Sequence, residues 1–566
     1  MRPFLVTELQ AGKLPRWGLL LLCALYVLPG FVGRDPWRHA DAAGFGVALT
    51  MARGDASDWL IPNIAGEPMP GAGPLPFWLG AAAARVLPLS AHAAVVFSTM
   101  LVLATLFVTL WYAMYALARR PGVLPADPLG ASASRIDFGR AIADSALLVL
   151  LATLGVIARV HETTADPAQL ALFALFMLGA ATAIDRPHRG AWIAGAAIGA
   201  SVMTRGLLPA AALMLTALAL PLLSRPYRLI AGRWLTGCLS AGLLLGLAWP
   251  AGLLTLGDAG KLHLAAWLAW HQTQLALPDL QDALYLARTL PWYFWPAWPV
   301  ALWALLRWRG RLGEPAMALP VTGLGALALI SVVGGNAQGN QLLPAALPLA
   351  MLAAMGLPTL RRSVVSLLDW FAVMTYSLIG FVVWAYWLAF VTGFPPRMAF
   401  RAARIAPGFE PDWIALDILL GLAASAAWLA LVRWRVSRHP PMIWRAVVLS
   451  CSGLVLAWTL LMTLWLPAFN ERNTYRDVAQ QAAQALPADY RCVGTRALGS
   501  AQRATLYYFG ALRFGPADGD CDWLLVQDSG PLARTTADTL PGWSLHWEGS
   551  RLRDRDERLR LYRRQP

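Results

Sequence analysis

Apolar residues gather along this chain in thirteen stretches, parted by short polar connections rich in arginine. They run roughly over 17–33, 92–118, 142–160, 167–184, 191–204, 207–223, 235–255, 291–306, 316–333, 341–359, 365–392, 414–432 and 443–466. A helix needs about 20 apolar residues to cross the hydrocarbon core of a bilayer. The pattern therefore predicts a polytopic α-helical membrane protein with about 13 transmembrane helices. Several stretches are short, and the pair flanking Arg205 is read either as two spans or as one broken, re-entrant segment. The first stretch has no small-residue cleavage site behind it and is read as a retained helix.

Four polar blocks interrupt this rhythm at length: 34–91, 257–290, 393–413 and 467–566. Within the first, residues 73–88 are apolar but too short to span and are expected to form an interfacial helix. The last block changes character at Pro467. It reads as a helix (Tyr475 to Leu486), a strand near Tyr490 to Gly494 and a helix from Gly499 to Leu512. Strands follow at Trp523 to Gln527, Trp543 to Trp547 and Leu559 to Tyr562. About 100 residues suffice for a small α/β core. The chain is thus divided into a membrane domain, 1–466, and a C-terminal α/β domain, 467–566, with the charged tail expected as a solvated edge strand.

Arginine orients the bundle. Placing Arg2, Lys13 and Arg16 inside puts Arg119-Arg120 with Arg135 and Arg140, then Arg186 and Arg189, then Arg225, Arg228 and Arg233 on the cytoplasmic side. Arg307, Arg309 and Arg311, Arg361-Arg362, and Arg433, Arg435 and Arg438 follow on the same side. The expectation is a multi-pass protein of the bacterial inner membrane, with the first loop and the C-terminal domain periplasmic. Composition agrees, with 58% hydrophobic and 14% charged residues. The net charge of +14 does not point to nucleic acid, because the basic residues punctuate the apolar runs rather than collect on one soluble face. Of the five cysteines, Cys23, Cys238 and Cys451 lie in apolar runs as small hydrophobes. Cys492 and Cys521 lie in the C-terminal block, where a disulfide is allowed outside the cytoplasm.

Candidate chemistry starts at Asp35, an acidic residue beside Arg34 at the edge of the first apolar run. A carboxylate there is either a solvated loop group or a functional one. Asp166, before Pro167 at the start of the fourth span, is either a helix cap or a second functional carboxylate, with Glu162 close by. Arg205 between two apolar runs either snorkels or holds an anion. Lys261, with His263, His271 and Arg288, lies in the second long loop.

The stretch 34–78 resembles the first periplasmic loop of polyprenyl-phosphate-dependent glycosyltransferases of the GT-C class. These include the bacterial lipid A aminoarabinose transferases and, more distantly, the protein O-mannosyltransferases (glycosyltransferase family 39-like). Asp35, Arg38, Ala40 and Asp41 fall on that loop's first block, Asp58, Trp59, Pro62 and Gly66 on its second, and Pro74, Leu75, Phe77 and Trp78 on its third. Arg205 stands at the lysine of the family's Thr-Lys-Gly-Pro turn, and Asp166 at its Thr-x-Asp. The chain departs where Pro36 follows Asp35, and where Gly71-Ala72 replace a Glu-Lys pair. It departs again in GNQLLPAALP, where Gln341 and Leu343 stand near a family lysine and tyrosine.

The resemblance implies a GT-C fold, a polyprenyl-phosphate sugar as donor and a lipid or protein as acceptor. It makes Asp35 and Asp166 the catalytic candidates. Arg38, Asp41, Glu162, Arg205, Lys261 and Arg288 are the candidates for substrate binding. Such a reaction needs a base for the acceptor hydroxyl and cations for the leaving phosphate. It also needs a groove for the lipid chain. A divalent cation bound through Asp35 and Asp166 is compatible with the residues and would need further oxygen ligands from several loops. Two other classes fit the hydropathy: a transporter or flippase of a lipid-linked sugar, and a non-catalytic scaffold presenting the C-terminal domain. Consumption of a polyprenyl-phosphate sugar separates them.

Overall fold

The computed structural model describes residues 6–124, 132–334, 339–436, 442–515, 520–530, 540–551 and 556–565. Arg2 and Arg438, counted above in the charge pattern, lie outside them. Each of the thirteen apolar stretches is helical. Seven described helices are long and apolar enough to cross a membrane: Ala91–Ala118, Ala165–Ala183, Ala231–Leu254, Pro315–Val333, Arg362–Thr392, Ala415–Arg435 and Arg445–Leu464. The six remaining stretches are short or bent. Residues 142–160 do not form one rod: Arg135–Ala152 and Leu154–Val160 meet at 74°. Thr153 is extended there, and the Leu154 N–H donates to the Trp295 carbonyl at 3.1 Å instead of continuing the helix. The stretch expected at 291–306 becomes Ala297–Trp308, because the preceding helix runs Leu280–Tyr293. Ala165–Ala183 and Arg445–Leu464 are the most buried of the long helices and Ala415–Arg435 the least.

The polar segments fold onto this bundle. The first loop supplies the helix Ala40–Arg53, here called the loop helix, then a two-stranded turn and the expected short helix Leu75–Val86. Ala65 and Gly66 both have positive φ in that turn, the conformation a two-residue antiparallel hairpin requires. The C-terminal domain is a four-stranded sheet in the order 493–496, 523–529, 557–564, 543–549. The first pair is parallel, with Val493 opposite Trp523, and the others are antiparallel. Helices Arg476–Gln484 and Ser500–Phe509 contribute Val478, Ala479, Ala482 and Leu506 to a core shared with Leu525, Leu559 and Leu561. The charged tail is not an edge strand. Glu557–Arg564 lies between two strands, and Arg560 is buried against Glu548 and Asp528. Charge alternation at the chain's end masked an inner strand whose cations find internal partners. Cys492 and Cys521 form a disulfide with Cα atoms 5.3 Å apart.

Candidate functional site

The first loop ties together the segments that carry the candidate residues. Asp41, in the first turn of the loop helix, accepts from Arg34 Nη2 at 2.5 Å, Trp37 N at 3.1 Å, and Thr163 N and Oγ1 at 2.7 and 2.9 Å. Burial alone would push this carboxyl's pKa up. Arg34 and the two backbone donors outweigh that and hold it below its ordinary value. With four donors on it Asp41 latches the loop helix to the turn at Thr163. It fixes Asp35, six residues earlier, near the turn that precedes Asp166.

The third block of the loop grips the other candidate. Gly73 N donates to Thr204 O at 3.3 Å and Leu75 N to Met203 O at 3.1 Å, in the turn that ends at Arg205. A Cβ on Gly73 would lie 2.1 Å from Met203 O, so only glycine allows this approach. The second block is scaffold. Asp58 completes a capping box with Asp55 and accepts from Asn63 Nδ2 at 2.8 Å, while Trp78 and Trp249 donate to the carbonyls of Trp59 and Leu60.

Arg205 and Asp166 form an ion pair at the wall of a cavity of about 290 Å³. The cap of the helix Ala165–Ala183 is Thr164, whose hydroxyl accepts from Asp166 N at 3.3 Å. The Asp166 carboxylate, 4% exposed, is therefore free of capping and held for the cavity. Gln169, bonded to Ser201, lines the same wall; Gln274, Ser331 and Gln341 face it, and Leu327 and Ile330 make an apolar flank.

His271, which the sequence pattern left as an interfacial residue, is part of this cavity. Burial pushes its pKa down to about 4, so it is neutral, and neither ring nitrogen has a hydrogen-bond partner among the described residues. It lies over Gly206, whose φ of 86° and whose missing Cβ (which would sit 2.0 Å from His271 Cε1) both call for glycine. The neighbouring Trp270 explains a departure from the family pattern. A Cβ at Gly71 already meets its ring at 2.7 Å, so no Glu-Lys pair fits there.

A second groove of about 700 Å³, nearly all apolar, opens on another face of the helix Ala165–Ala183. Leu75, Trp78, Leu101, Ala171 and Leu172 line it.

Asp35 is not part of either cavity. Its carboxylate takes Arg476 Nε at 3.1 Å, a second Arg476 nitrogen, and Thr474 Oγ1 at 3.0 Å, and its N–H donates to Asn470 Oδ1 at 3.1 Å. Three donors on four lone-pair directions leave one open, and the side chain is 15% exposed. All three partners come from beyond the last membrane helix. Arg476 and its neighbours were absent from the sequence-based candidates, because nothing local marks a contact more than 430 residues away. The C-terminal domain adds to the same seam: Arg503 donates to the carbonyls of Ile64 and Ala65 at 2.8 and 2.7 Å, and Tyr508 meets Phe45 edge-on.

Glu162 sits between the two regions, with Arg159 at 3.6 Å and Oε2 lacking a hydrogen bond among the described residues. Burial first, then the charges of Asp41 and Asp166, push its pKa up to about 7 against the pull of Arg159. Arg38 is half-buried, with its N–H on Asn473 O at 2.9 Å, and lines neither cavity. Lys261 is exposed and pairs with Asp258 within its own helix, and Arg288 is exposed on the next one. Neither lines the cavity that Arg205 lines. Among the described residues no cluster of three His, Cys, Asp or Glu has metal-holding geometry.

No family model matches the sequence, and no curated protein sequence matches it. The structure is similar to that of ArnT from Cupriavidus metallidurans bound to undecaprenyl phosphate, with a TM-score of 0.68 at 15% identity over 97% of this chain and 98% of that one. It is similar to the apo state of the same ArnT, with a TM-score of 0.65 at 15% identity over 96% and 98%. The chain therefore has an ArnT-like, GT-C fold with a small C-terminal sheet domain, the architecture expected from its sequence.

Proposed function

We propose that this protein is an inner-membrane glycosyltransferase that moves a sugar from a polyprenyl phosphate to a lipid or protein acceptor on the periplasmic side. The observation that carries this reading is the Arg205–Asp166 cavity. A cation sits at a helix break, beside neutral hydrogen-bonding groups and an apolar flank, in a fold that in ArnT accommodates undecaprenyl phosphate. Arg205 holds the donor's phosphate as negative charge gathers on it. Asp166 aligns the guanidinium beforehand and gives way when the phosphate arrives. His271, Gln169 and Gln341 offer neutral hydrogen bonds, and the apolar groove suits an isoprenoid or acyl chain.

Asp35 is the proposed base. Arg476 and Thr474 orient its carboxylate and leave one acceptor direction for the acceptor hydroxyl. That hydroxyl's oxygen attacks the anomeric carbon, the bond from carbon to phosphate oxygen breaks, and the proton passes to Asp35. The leaving group is the polyprenyl phosphate.

The test uses the purified full-length protein with undecaprenyl-phosphate-linked aminoarabinose or hexose and lipid A or membrane-protein acceptors. Glycosylated acceptor and free undecaprenyl phosphate in equal amounts are expected. Transbilayer movement of an intact donor, with no phosphate released, would instead make the protein a flippase.

A further inference from the structure

The two least buried of the long apolar helices, Arg362–Thr392 and Ala415–Arg435, are joined by residues 393–414. Both helices are long and apolar enough to span, so the segment between them lies at a face of the bilayer. It is the face near Asp35. Arg472 Nη1 donates to Ile405 O at 3.3 Å, and Asn470, two residues before Arg472, accepts the Asp35 N–H. Gly393, at φ 75°, closes the first helix with its N–H on Ala389 O at 2.9 Å and turns the chain along that face.

A short helix, Pro396–Ala403, follows. Arg397, Arg401 and Arg404, at i, i+4 and i+7, share one face of it, while Ala402 packs inward. All three arginines are exposed, and none of their side chains has a hydrogen bond or ion pair among the described residues. Glu410 and Asp412 are exposed further along the segment, and Asp417 is half-buried at the start of the next helix; none of the three carboxylates pairs with these arginines. Phe394 and Phe400 flank the arginines at 74% and 71% exposure, and Trp413, Leu416 and Leu419 continue the bare apolar surface onto the next helix. Aromatic rings so exposed are costly in water and stabilised at the headgroup level of a bilayer. Arginine suits the same level, with its stem along apolar neighbours and its charge at the polar surface.

We propose that residues 394–404 form an interfacial arm that binds the phosphates of anionic phospholipids, whose acyl chains lie along Trp413, Leu416 and Leu419. A row of unpaired cations beside bare apolar side chains fits a ligand that is anionic at one end and apolar at the other. A free anion would be held weakly at so open a surface, because salt screens exposed charges. An acyl chain on the apolar strip keeps the phosphate in place. The arm includes no residue of the Arg205 cavity or of the Asp35 cluster, so the proposal stands apart from the sugar-transfer reading.

The test uses the full-length protein in phosphatidylcholine nanodiscs that contain a trace of phosphatidylglycerol or of zwitterionic phosphatidylethanolamine, each with a photoactivatable acyl chain. Crosslinks to residues 393–420 are quantified by peptide mass spectrometry. Phosphatidylglycerol should crosslink there in preference to phosphatidylethanolamine. Arg401→Gln should lower its crosslinks about fivefold, the weight of one basic residue at an anionic surface. Combining Arg397→Gln, Arg401→Gln and Arg404→Gln should bring them to the phosphatidylethanolamine level, with the melting temperature unchanged because the three side chains are exposed. Arg496→Gln, on a strand of the C-terminal domain, should change nothing. In the native protein, inorganic phosphate at constant ionic strength should leave the crosslinks intact. Equal crosslinking of the two lipids, or undiminished crosslinking in the triple variant, would overturn the proposal. Displacement by inorganic phosphate would overturn it in favour of a free-anion site, and displacement by one equivalent of lipid A in favour of an acceptor site.

Discussion

Replacing Asp35 and Arg476 separately distinguishes a base from a clasp. Their ion pair joins the first loop to the C-terminal domain, and either Asp35→Asn or Arg476→Gln breaks it. A hydrogen-bonded charge pair contributes about 1.5–3 kcal/mol when shielded. Arg476 is 47% exposed, which reduces this to about 1 kcal/mol of stability for either variant. In activity the two should part. Arg476→Gln leaves the carboxylate, still bonded to Thr474, and should cost less than about tenfold, as loss of positioning does. Asp35→Asn removes the proton acceptor while keeping its shape, and should cost about 100- to 10,000-fold, the weight of a general base. The double variant should match Asp35→Asn. The assay is transfer by purified protein, with thermal unfolding and gel filtration confirming the fold. Equal, modest losses in the two single variants and in the double variant would mean that Asp35 acts only as a clasp. Turnover near wild type in Asp35→Asn would move the base elsewhere, with Glu162 the next carboxylate to replace.

Arg205→Ala strands a carboxylate that is 4% exposed, so it should destabilise by about 3 kcal/mol and abolish transfer, whereas Arg205→Lys should keep a measurable fraction of both; equal and full activity in the two would leave Arg205 a snorkelling side chain. Glu162 is protonated below about 7 and ionised above it. Its charge then appears near Asp166 and opposes the donor's phosphate, so the donor KM should rise as pH climbs through 7 and the rise should vanish in Glu162→Gln. A KM independent of pH in the native protein would remove Glu162 from the site. Cys521→Ser opens a disulfide spanning 29 residues and should cost the C-terminal domain about 3–4 kcal/mol, measured by chemical unfolding. An alkaline phosphatase fused after Gln565 should be active if that domain is periplasmic, and an inactive fusion would reverse the orientation.

Much of the fold was legible because hydropathy and arginine spacing report directly on what a bilayer excludes. All thirteen stretches are helical, and the C-terminal helices and strands fall within a few residues of their predicted bounds. The errors have local physical causes. Thr153 breaks a span because Trp295 offers its neighbour a carbonyl from another segment. Asp166, read either as a cap or as a functional carboxylate, is not the cap, because Thr164 two residues earlier takes that place. Sequence proximity brought Lys261 and Arg288 into the candidate set, and both are exposed outside the Arg205 cavity. His271 carried no signal, because its role depends on the glycine at 206, and the pairing of Asp35 with Arg476 spans nearly the whole chain.

One departure from the aminoarabinose-transferase pattern, Gly71, lies against the same helix as the glycine of the Arg205 turn. Trp270 occupies the space a side chain at residue 71 would need, and His271 occupies the space above Gly206, so one element, Asp258–Thr273, fills two positions. Gln341 lines the cavity near where the family carries lysine. Gly71-Ala72 and Gln341 stand where that pattern carries charged residues, leaving Arg205, already paired with Asp166, as the cation lining the cavity. A donor sugar carrying its own positive charge would gain from Asp166 and from Glu162 once ionised, whereas a neutral sugar would depend on the His271, Gln169 and Gln341 hydrogen bonds. Comparing undecaprenyl-phosphate-linked aminoarabinose with a neutral hexose in His271→Ala decides between them. Loss confined to the hexose would assign the cavity to a neutral sugar. Equal loss for both would place His271 at the phosphate, the moiety the two donors share.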